Sequence, residues 1–250
     1  MNRNKRSITI DFKTEKGLEI IKKLAAKSDV LIENFIPGKM EEMGLGYKEL
    51  SKLNPRLVYA SISGYGQTGP YSKKAGYDVI IEGEAGMMHI TGERNGEPVK
   101  VGVAIIDLTT GLYTKAAILA ALYEREKSGT GQMIDVSLLE SQVASLANIA
   151  SNYLIGNKEA TRLGTSHGSI VPYQSFPTLD GYLVVGAGSD VQYQKLCHAM
   201  KRQDLISPKY ANNQLRVANR EGLVIYHFDY FSSRNILGFG ARQDNQGKDH

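Results

Sequence analysis

The sequence predicts an α/β fold: a parallel sheet covered by helices, followed by part of a smaller α+β domain. Three observations predict it. Short apolar strands alternate with amphipathic helical patterns over the first part of the chain, and parallel neighbours need such helical crossovers. A long helical pattern opening at Asp107, then a strand and another helix, continues the series to about residue 155. Beyond Gly156 the pattern changes to a loop, a hairpin and short helices, as in a second domain.

Ser7 to Phe12 alternates like a strand, and Thr14 is placed to cap a helix whose apolar stripe is Leu18, Ile20, Ile21, Leu24 and Ala25. Asp29 to Glu33 reads as a buried strand that stops before Pro37-Gly38. Short helices are expected at Lys39–Met43 and from Tyr47 to before Asn54-Pro55, because the residue ahead of a proline avoids helical backbone. Leu57–Ser63 is the next strand, and a short helix is expected near Tyr77–Gly86. Asp107 is read as the cap of the clearest helix, with Leu112, Ala116, Leu119, Leu122 and Tyr123 as its apolar face and Gly129 in the left-handed position at its end. Gln132–Ser137 is a strand and Leu138–Leu154 a helix. Tyr173–Phe176 and Tyr182–Val185 form a hairpin around Asp180-Gly181, and a helix follows at Val191–Met200. The expected organisation is a partial Rossmann-like large domain over 1–155, a linker and partial small domain over 156–223, and a flexible tail over 224–250, where no pattern persists.

Composition narrows the function. The chain has 250 residues, 42% hydrophobic and 22% charged, which is ordinary for a globular protein and excludes collagen-like or disordered classes. The net charge of +4 is spread along the chain, not gathered on one face as nucleic-acid binding requires. One cysteine, Cys197, excludes an internal disulfide and a cysteine-based metal site, and the histidines lack metal-ligand spacing. No apolar run reaches membrane-spanning length, and the basic start leads into an alternating segment, not the apolar core of a secretion signal.

Two motifs point elsewhere. Gly64-Tyr65-Gly66-Gln67-Thr68-Gly69 matches G-x-G-x-x-G, which would make the chain an NAD-dependent oxidoreductase. That motif needs its last glycine to enter a helix, and here Pro70 to Gly76 intervenes, so a structural turn is the plainer reading. Gly164-Thr165-Ser166-His167-Gly168 matches G-x-S-x-G, but a nucleophile elbow needs a strand before it and a helix after it.

Asp107 is the residue to which chemistry is assigned. A carboxylate in a helix first turn is held ionised by backbone N–H groups and the helix dipole, and an ionised carboxylate can act as a covalent nucleophile. Capping the helix is the alternative role, and the two are compatible.

Eight stretches fix a resemblance by their order and spacing: Asn2 to Ser7, Glu33-Asn34-Phe35-Ile36-Pro37-Gly38, Met43 to Tyr47, Ser63 to Pro70, Ala75-Gly76-Tyr77-Asp78, Asp107-Leu108-Thr109-Thr110-Gly111, Gly129 to Gln132, and His167 to Tyr173. Together they resemble the class III coenzyme A transferases of the CaiB/BaiF type. The resemblance implies CoA transfer between dicarboxylic acids, of succinyl, glutarate or 3-hydroxy-3-methylglutarate type, with CoA as a substrate and no further cofactor or metal. It implies Asp107 as the catalytic aspartate, Lys13 at the nucleotide end of CoA, Asn34 and Phe35 along the CoA channel, and Tyr77 beside the thioester. Asp78 falls where some members carry a functional glutamate, and Gly168 falls in a mobile loop over the site. Glu42 stands where some members carry a CoA-binding arginine, so that contact is expected to be absent. Arg162 is a candidate partner for a substrate carboxylate. The resemblance also implies an interlocked homodimer, a mitochondrial location, and a longer chain with a strand and helix before this one. A non-catalytic chain acting by pairing with a full-length subunit is the alternative.

Overall fold

The structure is a computed structural model describing residues 2–235, which fall into two compact units. The first comprises residues up to Thr91 and Pro98–Thr161; the second comprises Gly92–Glu97 and the chain from Arg162.

The first unit is a three-stranded parallel sheet with helical crossovers. Helix α1 (Glu15–Ala25) starts where the Thr14 side chain accepts from the Gly17 N–H. It is followed by β1 (Val30–Glu33), α2 (Lys39–Glu42), α3 (Tyr47–Leu53) and β2 (Val58–Ser63). Next come α4 (Asp78–Glu84), α5 (Met87–Ile90), α6 (Ile105–Ser128), β3 (Met133–Ser137), α7 (Leu138–Ser145) and α8 (Ala147–Leu154). The strands lie in the order β1-β2-β3, with Leu31 beside Tyr59 and Tyr59 beside Met133. β2 is central and almost wholly buried, as a strand covered on both faces must be. Leu45, Leu50, Leu57 and Tyr59 pack under α1 and α3 on one side, while Val58, Ala60, Ile118 and Ala121 pack under α6 on the other.

Several expectations fail in this unit. Ser7–Phe12 is not a strand: it has no ladder partner among the described residues, and Ile8 is 66% exposed, so nothing satisfies or buries an extended segment there. The helix expected over Leu138–Leu154 is broken at Ala147, which takes a left-handed backbone (φ 45°). The apolar face assigned to α6 is the wrong one. Leu112, Leu119 and Tyr123 are exposed, and the face turned to the sheet is Thr110, Thr114, Ile118, Ala121 and Arg125. A helix with apolar residues on every side gives no directional signal, and the smaller side chains permit close approach to β2. By length and mean hydropathy α6 is also the one described helix that passes for a membrane span, against the expectation that no such segment exists. It packs on β2, β3 and α7, as a sheet-covering helix does. Gly129 closes it at φ 76°, as expected.

The second unit has a hairpin, β4 (Tyr173–Thr178) against β5 (Gly181–Gly186), whose two-residue turn is Leu179-Asp180. Helices α9 (Asp190–Ala199), α10 (Asn213–Ala218) and α11 (Arg220–Ser232) cover it. Arg216 is fully buried at its centre: Nε donates to the Val171 carbonyl (2.8 Å), Nη1 to the Tyr210 carbonyl (3.2 Å) and Nη2 to Asp190 (2.8 Å). The flexible tail expected from residue 224 is overturned as far as Ser232. That stretch is most of α11, and its Phe231 packs against Phe176 and Met200. Tyr226, Phe228 and Tyr230 blur its amphipathic pattern, which is why the helix was not legible. The remainder of the expected tail, 236–250, lies outside the described residues.

Candidate active site

The carboxyl ends of all three strands open onto one cavity of about 500 Å3. Asn34 and Phe35 follow β1, Ser63 ends β2 and Gly64 follows it, and Leu138 follows β3; all line the cavity. Ligands of open α/β sheets bind at this edge, where helices begin and strands end. The N-terminal turn of α6 supplies Asp107, Thr110 and Gly111, and the start of α4 supplies Tyr77 and Asp78.

Gly64 and Gly76 fix this arrangement. Their backbones cross so closely that a Cβ on Gly64 would lie 2.6 Å from the Gly76 Cα. Only glycine at both positions lets the chain return to place Tyr77 and Asp78 opposite Asp107. The rest of the G-x-G-x-x-G segment is a tied-down turn: the Gly66 N–H donates to Ser63 (2.9 Å) and the Gln67 N–H to Asp135 (2.9 Å). No helix starts after it until Asp78, so the geometry of a dinucleotide loop is absent.

Asp107 is not the cap of α6. It is the third residue of the helix, behind Ile105 and Ile106, and the residue in the cap position, Ala104, has no side chain to offer. Asp78 does that work from another helix. Its Oδ1 accepts from the N–H of Ile106 (2.8 Å) and of Asp107 (3.2 Å). The Asp107 carboxyl is thereby left to the cavity. Its pKa is raised above the ordinary aspartate value, first by burial and second by the nearby Asp78 charge. The direction is opposite to the one a helix terminus alone would give, because burial and the Asp78 charge both act against the charged form. The two N–H groups bonded to Asp78 are unavailable to an oxyanion.

Of the other expected residues, Asn34, Phe35, Tyr77 and Asp78 line the cavity, and Tyr77 is 69% exposed. Lys13 does not line it; it is an exposed residue whose backbone N–H donates to Asp11. Glu42 pairs with Lys39 (2.9 Å). Gly168 and Arg162 belong to the second unit. Ser166 donates to Gln174 in a loop with no strand-to-helix elbow. The described residues hold no cluster of three His, Cys, Asp or Glu that suits a metal ion.

Lys74 was missed by sequence reasoning. It lines the cavity, pairs with Glu84, and lies over the rings of Tyr65 (5.1 Å) and Tyr71 (4.9 Å). The hydrogen bond to Glu84 raises its pKa and lowers that of Glu84. A Lys-Lys pair in a loop gives no signal in one sequence. Gly111 was visible in a motif but not explained: a Cβ there would meet nothing within 4 Å, so the glycine keeps the cavity open beside Asp107.

Comparison with known proteins agrees with this architecture. A human succinyl-CoA:glutarate CoA-transferase is 54% identical over 225 residues, covering 90% of this chain and 51% of that protein. A succinate–glutarate CoA-transferase of Agrobacterium fabrum is 46% identical, covering 88% of this chain and 55% of its own length. The solved structure of a CAIB/BAIF family protein from Brucella suis matches with a TM-score of 0.85 at 42% identity, covering 98% of this chain and 65% of that one. The chain thus spans about half the length of the named relatives it matches. The model of CoA-transferase family III matches residues 1–235, and to that family the chain belongs.

Proposed function

We propose that this chain carries the CoA-handling half of an enzyme that moves coenzyme A between dicarboxylic acids, of which succinate and glutarate are the pair favoured by its relatives. One observation carries the reading: an aspartate with a raised pKa, relieved of capping by a second aspartate, stands on the wall of a cavity at the carboxyl edge of a parallel sheet.

In the proposed sequence of steps the Asp107 carboxylate attacks the thioester carbonyl of the donor acyl-CoA. The C–S bond breaks, leaving an aspartyl–acyl anhydride and CoA thiolate. The thiolate attacks the aspartyl carbonyl, which releases the donor as its carboxylate and leaves aspartyl-CoA thioester. The acceptor carboxylate attacks that carbonyl and frees the thiolate again, which then takes the acyl group from the new anhydride and restores Asp107. No oxidation state changes, so the steps call for no redox cofactor. Thioester and anhydride are both activated, so each exchange runs close to balance. Both intermediates react with water, which the site must exclude.

Lys74, which pairs with Glu84, is the cation among the residues lining the cavity, and it is assigned to an anionic part of the substrate. A homodimer is proposed with the activity, supported by the exposed Leu108, Leu112, Leu119 and Tyr123 of α6.

The test uses the purified chain. Incubation with succinyl-CoA and glutarate should yield glutaryl-CoA, and peptide mass spectrometry should place an acyl or CoA adduct on the peptide containing Asp107. Asp107→Ala should lower turnover by ~10^3-fold or more, the scale on which loss of a covalent nucleophile acts. Turnover retained by Asp107→Ala overturns the proposal. An intact dimer without turnover favours the pairing role instead.

A further inference from the structure

The second unit has a cleft of about 450 Å3 lined by Arg94, Lys209, Arg220 and Glu221 and by the chain from Asn219 to Gly222. Three cations thus face it against one carboxylate. Among the described residues none of the three forms an ion pair. Arg220 is half-buried, and its Nη2 donates to the carbonyls of His167 and Gly168, both at 2.9 Å. Those bonds leave its positive charge uncompensated. Burial and the charge of Arg94 both lower its pKa. The cleft also lies at the first turn of α11, whose preceding residue Asn219 accepts no hydrogen bond from the helix N–H groups with its side chain. A helix N-terminus is electropositive, so the backbone adds to the repulsion between the side chains.

We infer that this cleft is a binding site for a small dianion, a phosphate or a dicarboxylate, held by Arg94, Lys209 and Arg220. Guanidinium groups bind both kinds of oxyanion in pairs of parallel hydrogen bonds. The volume lies within the range of small-molecule sites. Because Arg220 already holds the carbonyls of His167 and Gly168, an anion that fixes its guanidinium also fixes the loop over 162–172. The inference is independent of the reaction proposed for Asp107.

The experiment titrates the purified chain with sodium phosphate, succinate and glutarate in separate arms, against acetate and chloride at matched ionic strength. The readouts are the thermal midpoint and amide hydrogen exchange across 162–172. A saturable rise in midpoint with slower exchange in that loop is expected from a dianion, and none from acetate or chloride. Saturation by phosphate alone assigns a phosphoryl ligand, saturation by the dicarboxylates alone assigns an organic acid, and either supports the site. Arg94→Gln should weaken binding about tenfold, the loss of a charged hydrogen bond. Arg94→Glu, which sets a carboxylate against Arg220, should abolish binding and leave the chain at least as stable as the parent. An unsaturable rise shared by chloride is general screening and sinks the inference. So does undiminished dianion binding by Arg94→Glu.

Discussion

Asp78 and Asp107 in the first unit, and Arg94 and Arg220 in the second, are both like-charge pairs beside the first turn of a helix. In each pair one member is tied to backbone and the other is left open. Asp78 accepts from two N–H groups of α6, and Arg220 donates to two carbonyls of the loop ahead of β4. The helix makes the difference. A helix N-terminus favours negative charge, so it offsets the acidic pair and compounds the basic one. Even so, burial and Asp78 outweigh that help at Asp107, whose pKa is raised. The acidic pair thus finds backbone donors within its own unit, whereas the basic pair has no ion-pair partner among the described residues.

Arg216 sets the scale for a charge that is satisfied. It is fully buried, bonded to Val171, Tyr210 and Asp190, and lies over the Tyr193 ring at 4.5 Å. Arg216→Ala strands the Val171 and Tyr210 carbonyls and leaves a cavity, and should cost about 2–5 kcal/mol, the scale of unsatisfied buried acceptors plus lost side-chain volume. Urea denaturation followed by the tyrosines of the second unit measures it. A loss no larger than that of an exposed arginine would show that the guanidinium is not the centre of this unit.

A smaller effect separates charge from hydrogen bonding at Asp78. Asp78→Ala removes the cap of α6 and should cost about 1 kcal/mol. Asp78→Asn keeps a carbonyl oxygen for the same N–H groups and should cost less, while lowering the pKa of Asp107 by removing the second cause of its rise. Carbon-detected NMR titration of the Asp107 carboxyl reads the shift. A pKa unchanged in Asp78→Asn would mean that burial alone sets it.

The sequence made the sheet legible because β1, β2 and β3 are short apolar runs, ending where Asn34, Ser63 and Leu138 begin the cavity wall. Asp107 was legible because a motif framed it. What was hidden depends on contacts between distant residues. Nothing local to Asp78 says that its oxygen reaches α6, 28 residues further along. The buried face of α6 was misread because every side of that helix offers leucine, alanine or tyrosine, and only packing on β2 decides which side turns inward. The segment Ser7–Phe12 shows the converse: an alternating pattern is necessary for a strand, but a partner completes it.

The smallest predicted effect is a dependence of stability on pH. The folded chain raises the Asp107 pKa, so the folded state prefers the neutral carboxyl. That preference stabilises the fold fully below the unfolded aspartate value, about 3.9, and is lost as pH rises through the folded value. Asp107→Asn is neutral throughout. Its stability relative to the parent should therefore increase from acid pH towards neutrality and then level off. In an Asp78→Asn background the same increase should shrink but persist, because burial is the larger cause. Denaturant midpoints of the four chains measured from acid to neutral pH decide the sign. If the parent instead gains on Asp107→Asn as pH rises, the α6 terminus stabilises the carboxylate after all, and the contrast drawn between the two like-charge pairs fails at its acidic end.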